Sequence, residues 1–143
     1  MSTVGAVDHT VQLTHEWLKD LRQIGEFDSD EQAWSALRAV SQAVRDRLTV
    51  DEASHLAAQL PCLIRGVYFE GWSPSNVPVK ARSRDQFLGL VNEKMSGGTS
   101  IAPQHAAEAV FRLLNDRITP GEVDDVRHML PLEVQELWSV SKS

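Results

Sequence analysis

The chain has 143 residues, of which 42% are hydrophobic, so it is long enough for one folded domain with a buried core. Its formal net charge of −6 argues against binding to nucleic acids and to anionic membrane surfaces, which both attract basic proteins. Cys62 is the single cysteine, which excludes an internal disulfide, and neither a signal peptide nor a membrane span is apparent, so we expect a cytoplasmic protein.

The first half of the chain predicts four helices. Apolar residues at helical spacing mark a helix at about 7–24, ended by Gly25 in a left-handed conformation, and a second helix at about 30–47. Thr49 followed by Glu52 matches a capping box, in which the Thr hydroxyl and the Glu carboxylate each accept a hydrogen bond from the backbone of the first helical turn. This motif predicts a short third helix, and a fourth helix follows Pro61.

A loop at 73–83 separates these helices from the rest of the chain, because it contains two prolines together with serine and asparagine. Ser83 and Gln86 form another capping box, which predicts a fifth helix that stops at Gly97-Gly98. A sixth helix is predicted from Pro103 to about residue 117.

The second half repeats the first at a constant offset of 70 residues. Residues 17–61 align without a gap with residues 87–131, and Thr119 with Glu122 repeats the capping box before a seventh helix, which an eighth follows. Such self-similarity predicts two copies of one supersecondary unit that pack together. We therefore expect an all-α fold, in which a duplicated four-helix unit forms one pseudo-two-fold helical bundle. The single domain, 1–143, would comprise a first repeat at about 8–72, the loop at 73–83 and a second repeat at about 84–140.

One string in the first repeat is distinctive. Residues 60–72 read Leu-Pro-Cys-Leu-Ile-Arg-Gly-Val-Tyr-Phe-Glu-Gly-Trp, after Arg45-Asp46-Arg47-Leu48 and before Ala109-Val110-Phe111-Arg112-Leu113-Leu114. This pattern resembles the bacterial DUF2267 family over about residues 18–138. The resemblance implies a duplicated helical protein. Because the family is defined as one of unknown function, it implies no reaction and no catalytic residues.

The repeated glutamates allow two interpretations. Glu52 with His55, and Glu122 with Asp125, each place two metal-ligating side chains three residues apart on one face of a helix, as in carboxylate-bridged metal sites. However, both glutamates also occupy the third position of a capping box, where the carboxylate would fold back onto its own helix end. We favour capping, and the metal site is the alternative.

The segment in which the two copies differ is the better candidate for a binding surface. Large aromatic residues beside a loop make good anchors, and a small basic patch on an acidic protein would suit an acidic partner. The alternative is that the aromatic residues fill the junction between the halves and the basic ones are solvated. The candidate partner-binding residues are Arg65, Tyr68, Phe69, Glu70, Trp72, Lys80, Arg82 and Arg84.

Other side chains favour structural roles. Cys62 lies at a predicted helix start, where a thiol can become reactive, but the second copy has Leu132 at this position, so we expect a small apolar residue of the core. The pairs Asp46-Arg47 and Asp116-Arg117 recur before each capping box, and we expect each arginine to contact its helix end or the other half of the protein.

The sequence favours a non-catalytic, cytoplasmic interaction or regulatory module, with a protein partner and no cofactor, and it is compatible with a homo-oligomer. The alternative is a metal-dependent enzyme or ligand-binding protein whose site comprises Glu52, His55, Glu122 and Asp125. The third interpretation, nucleic-acid binding through the basic patch at 80–84, has the least support because the chain is acidic.

Overall fold

Helices account for all regular structure that the computed structural model describes, which comprises residues 4–95 and 100–140. Within these ranges the only other element is a 3-10 turn at Pro74–Asn76, so the predicted all-α class is confirmed. None of these helices is both long enough and apolar enough to span a bilayer. The helices are α1 (Gly5–Gly25), α2 (Asp30–Arg47), α3 (Val50–Ala57), α4 (Cys62–Phe69), α5 (Arg84–Lys94), α6 (Pro103–Arg117), α7 (Pro120–Met129) and α8 (Leu132–Gln135).

Helix α2 lies at the centre of the fold and contacts α1, α4, α5 and α6. Its side chains Ala36, Ala39, Val40 and Ala43 are completely buried, and their small volume lets the neighbouring helices approach closely. Helix α1 also packs against α6, while α3 packs against α7. Helices from both halves of the chain therefore share one hydrophobic core.

Three helices start at the residues that the sequence predicts. The hydroxyl oxygens of Thr49, Ser83 and Thr119 accept hydrogen bonds from the third residue of α3, α5 and α7, at 3.2, 3.1 and 3.3 Å. At α5 the capping box is complete, because the Gln86 side chain accepts a hydrogen bond from the backbone N–H of Ser83. Helix α5 ends at Lys94, and the predicted stop at Gly97-Gly98 lies outside the described residues.

Helix α1 ends by a different mechanism from the predicted one. Gly25 is still helical, and the left-handed residue is Glu26, with φ at 52°, so the prediction of a left-handed Gly25 is wrong. A Cβ atom on Gly25 would lie 2.4 Å from the ring of Phe27, which is buried. Glycine is therefore required at this position for the close approach of an aromatic ring.

A buried arginine connects the ends of α2, α4 and α5. Arg45 is 1% exposed, and its Nη1 donates hydrogen bonds to the carbonyl oxygens of Tyr68 and Glu70, at 2.8 and 2.7 Å. Its charge is balanced by Asp46 at 2.7 Å, and Asp46 also pairs with Lys94 at 3.1 Å. This pairing offsets the cost of burying a guanidinium, and it fixes the carboxyl end of α4 against α2.

Candidate functional site

Two acidic side chains are buried between α3 and α7. Glu52 is 6% exposed and Glu122 is 8% exposed, and each follows a threonine that caps its helix. We refer to these two residues as the carboxyl pair. An acidic group is almost never buried to this extent unless it has a partner, so the partner of the carboxyl pair is the central question of this site.

The glutamates are not capping residues, and this part of the sequence prediction is wrong. In α7 the backbone N–H of Thr119 donates instead to Oε1 of Gln59, at 2.9 Å, so it is not available to Glu122. The Oε2 atoms of both Glu52 and Glu122 are buried without a hydrogen-bond partner among the described residues. The helices therefore take only the threonine half of the capping box, and the carboxylates point toward each other across the interface.

The two carboxyl groups lie within hydrogen-bonding reach of each other. Burial raises the pKa of Glu122 to about 8, and the hydrogen bond to Glu52 and the negative charges of Glu52 and Asp125 add to this effect. At neutral pH, Glu122 is therefore mostly protonated. Two adjacent carboxyl groups that hold one proton between them carry a single negative charge in place of two.

Asp125 completes a cluster of three carboxylates. One oxygen atom each from Glu52, Glu122 and Asp125 lies within 4.8 Å of the other two. Because a divalent cation binds carboxylate oxygens at ~2.0–2.6 Å, such a spacing is close to that of ligands on opposite sides of one ion. Asp125 is exposed, so the cluster is reached from its side.

His55 lies at the edge of this cluster. Its Nδ1 is 3.8 Å from Oε1 of Glu52, and 68% of its side chain is exposed. The structure thus brings three of the four residues of the alternative metal site together, with His55 next to them. An imidazole at this distance can join the cluster by a change of side-chain rotamer, which its exposure permits.

Tyr68 lies beneath the carboxyl pair and is part of the core. It is 1% exposed, and its hydroxyl donates a hydrogen bond to the carbonyl oxygen of Ala53 at 2.9 Å. Burial raises its pKa, which the charge of Arg45 lowers and those of Glu122 and Glu52 raise. The prediction that Tyr68 serves as a surface anchor is therefore corrected, because the ring is not accessible to a partner.

The other residues of the distinctive string also make internal contacts. Arg65 donates hydrogen bonds to the carbonyl oxygens of Ala57 and Leu60, at 2.9 and 2.8 Å, and so closes the end of α3. Phe69 and Trp72 are half-buried against the core, with ring centroids 5.1 Å apart. Glu70 has an exposed side chain, while its carbonyl oxygen binds the buried arginine of α2.

The basic residues of the string's continuation are on the surface. Lys80, Arg82 and Arg84 are all exposed, as an interaction surface requires. Cys62 is exposed as well, and the prediction that it belongs to the core is wrong because the first residue of α4 faces outward. Leu132, at the equivalent position of α8, is 77% exposed.

Sequence reasoning missed two residues that determine this site. Gln59 occupies the cap of α7 and leaves Glu122 free, while Arg45 fixes the helix that carries Tyr68. Arg45 was detectable, since it follows directly on an apolar stretch of α2 and lies where a helix of this period turns inward. No local signal identifies Gln59, because its partner is 60 residues away.

These features define the class of the protein as an all-α helical domain with a buried carboxyl pair at a helix–helix interface. A comparison with family models identifies the particular family. The model described as "Uncharacterized conserved protein (DUF2267)" matches residues 14–137, so the chain belongs to the DUF2267 family, and the resemblance seen in the sequence is confirmed. A search of curated proteins found no match to this chain.

Proposed function

We propose that this protein is a non-catalytic helical module that binds one divalent cation between Glu52, Glu122 and Asp125. The observation that carries the proposal is the carboxyl pair, in which each side chain is more than nine-tenths buried and has one oxygen atom without a partner. Buried polar atoms normally have a hydrogen-bond partner, and acceptors without donors at the centre of an acidic cluster are the arrangement that a cation satisfies.

The proposed site would be proton-coupled. In the absence of a cation, the proton on Glu122 keeps the carboxyl pair from carrying two charges, as the raised pKa indicates. A cation that enters the cluster displaces this proton and balances all three carboxylates. It also connects α3 to α7, so its binding would report pH and cation concentration as a change in the stability of that interface.

A regulatory role fits this site better than catalysis. The unpartnered oxygen atoms of the carboxyl pair are inaccessible to solvent, so a substrate would not reach them, whereas a small ion needs only a small shift of side chains. We place this module in the cytoplasm, as its single unpaired cysteine suggests.

We infer further that the site lies on a pseudo-two-fold axis between the two copies of the repeat. The members of the carboxyl pair are 70 residues apart, and α3 and α7, which carry them, pack together. Two other contacts support the same relation. Arg65 donates to the carbonyl oxygen of Leu60 at 2.8 Å, and Gln135 donates to that of Leu130 at 2.8 Å, with both donors and both acceptors 70 residues apart.

Calorimetric titration with Mn²⁺, Zn²⁺, Ca²⁺ and Mg²⁺ tests the proposal, on protein purified without a histidine tag and stripped with a chelator. We expect one ion per chain, and an affinity at least about tenfold lower in Glu122→Gln and Asp125→Asn, because each removes a charged ligand. Asp124→Asn is the matched control, since Asp124 is exposed on the same helix but outside the cluster.

Glu122→Gln preserves the size of the side chain and mimics its protonated form, so we expect this variant to fold, which circular dichroism verifies. If the wild type binds none of the four ions at a stoichiometry near one, the proposal is wrong. Equal binding by wild type and Glu122→Gln would contradict the assignment of the ligands.

A further inference from the structure

A second charged feature lies where the loop between the two halves meets the end of α2. The backbone N–H of Val79 donates to the carbonyl oxygen of Asp46 at 2.8 Å, and Nη1 of Arg47 donates to the carbonyl oxygen of Val79. These contacts fix residues 79–82 against α2. The basic side chains of the loop are therefore presented from a defined backbone.

The positive charges at this place are not balanced. Burial lowers the pKa of Arg47, and the charge of Arg82 lowers it further, so the two guanidinium groups are close enough to repel each other. Nε of Arg47 is buried and has no hydrogen-bond partner within the described ranges. Lys80, Arg82 and Arg84 are exposed, and in the part of the chain that the structure describes none of the three side chains forms an ion pair. We call Arg47, Lys80, Arg82 and Arg84 the basic surface.

Nearby acidic groups do not neutralise the basic surface. Asp46 is already paired with Arg45 and Lys94. Glu133 accepts a hydrogen bond at 2.8 Å, but from the backbone N–H of Arg84, so it lies at the edge of the surface. The remaining acidic side chain of this segment is Asp85, which is exposed in the first turn of α5.

We propose that the basic surface binds a phosphate monoester dianion, with Arg47 and Arg82 as its two central contacts. Two guanidinium groups that repel each other are both neutralised by one dianion, and the planar guanidinium matches phosphate oxygens in a bidentate geometry. A single carboxylate would neutralise only one of the two. A nucleic acid is disfavoured because the rest of this chain, with its net charge of −6, repels a polyanion.

Titrations followed by two-dimensional amide NMR of the full chain test this inference. The probes are inorganic phosphate, a phosphoserine peptide and the same peptide with glutamate in place of phosphoserine. We expect phosphate and the phosphopeptide to shift the amides of residues 79–84, with the glutamate peptide at least about fivefold weaker, because it carries one charge fewer at the site. If the phosphopeptide binds more tightly than phosphate, the source of the dianion is a phosphorylated partner; equal affinities indicate a small phosphate ester.

Arg82→Gln should lower the affinity for the best probe at least about tenfold, since it removes one of the two central charges. Arg112→Gln, which removes an exposed arginine from α6, is the control and should bind like the wild type. Absence of shifts at 79–84 with every probe, or an equal effect of both variants, would overturn the inference. Neither outcome depends on the carboxyl pair, so the cation proposal is tested separately.

Discussion

At the scale of single residues, the most unusual chemical property of this protein is the proton on Glu122. The pKa of this buried side chain is about 8, whereas the ordinary value for a glutamate is 4.5. Between these two pH values the folded protein holds a proton that the unfolded chain has lost. Stability from this group is therefore fully present below pH 4.5 and is lost as the pH rises to about 8.

We predict that Glu122→Gln flattens this part of the pH profile. From pH 5 to pH 8.5, in the presence of a chelator, the free energy of unfolding of the wild type should fall relative to that of the variant by roughly 1–3 kcal/mol. The reason is that glutamine carries no titrating proton. Chemical denaturation at four or five pH values measures the difference, and parallel profiles of the two proteins would show that Glu122 is not the group responsible.

At the scale of elements, the interface of α3 and α7 combines a cap supplied across the interface with the carboxyl pair. Gln59, just beyond α3, accepts from the backbone N–H of Thr119 at 2.9 Å and donates to its hydroxyl oxygen at 3.3 Å. On the other side, the hydroxyl of Thr49 lies 3.9 Å from the sulfur atom of Met129. Each helix start is thus in contact with the end of the opposite unit, and the glutamates are left for another role.

We predict that Gln59→Ala lowers the free energy of unfolding by about 0.5–1.5 kcal/mol, because it removes two hydrogen bonds at the start of α7. Gln12→Ala is the matched control, since Gln12 is exposed on α1 and contacts only Glu16 at 3.5 Å, one helical turn away. We expect that variant to stay within about 0.5 kcal/mol of the wild type. Urea denaturation monitored by circular dichroism measures both, and equal losses would mean that the bridge to Thr119 contributes nothing.

At the scale of the whole molecule, local signals in the sequence were sufficient for the fold class and for most helix starts. Thr49, Ser83 and Thr119 cap the helices they were predicted to cap, because a cap needs only the residues of the next turn. The orientation of Glu52 and Glu122 could not be predicted in the same way. It depends on which helices pack together, and on a glutamine 60 residues from the threonine it binds. The correct ligand residues were therefore recognised, and the wrong role was preferred for them.

The packing of α1 against α6, and of α2 against α5, has a consequence for what happens when the chain is cut. Neither half has a complete core, because the partners of its longest helices belong to the other half. A break in the loop at 73–83 should give two fragments that are unfolded when separate and that regain helical circular dichroism when mixed at equal concentration. Two fragments that fold independently would contradict this expectation. The same complementation could occur between intact chains at high concentration, where the first half of one molecule would pair with the second half of another and form an exchanged dimer.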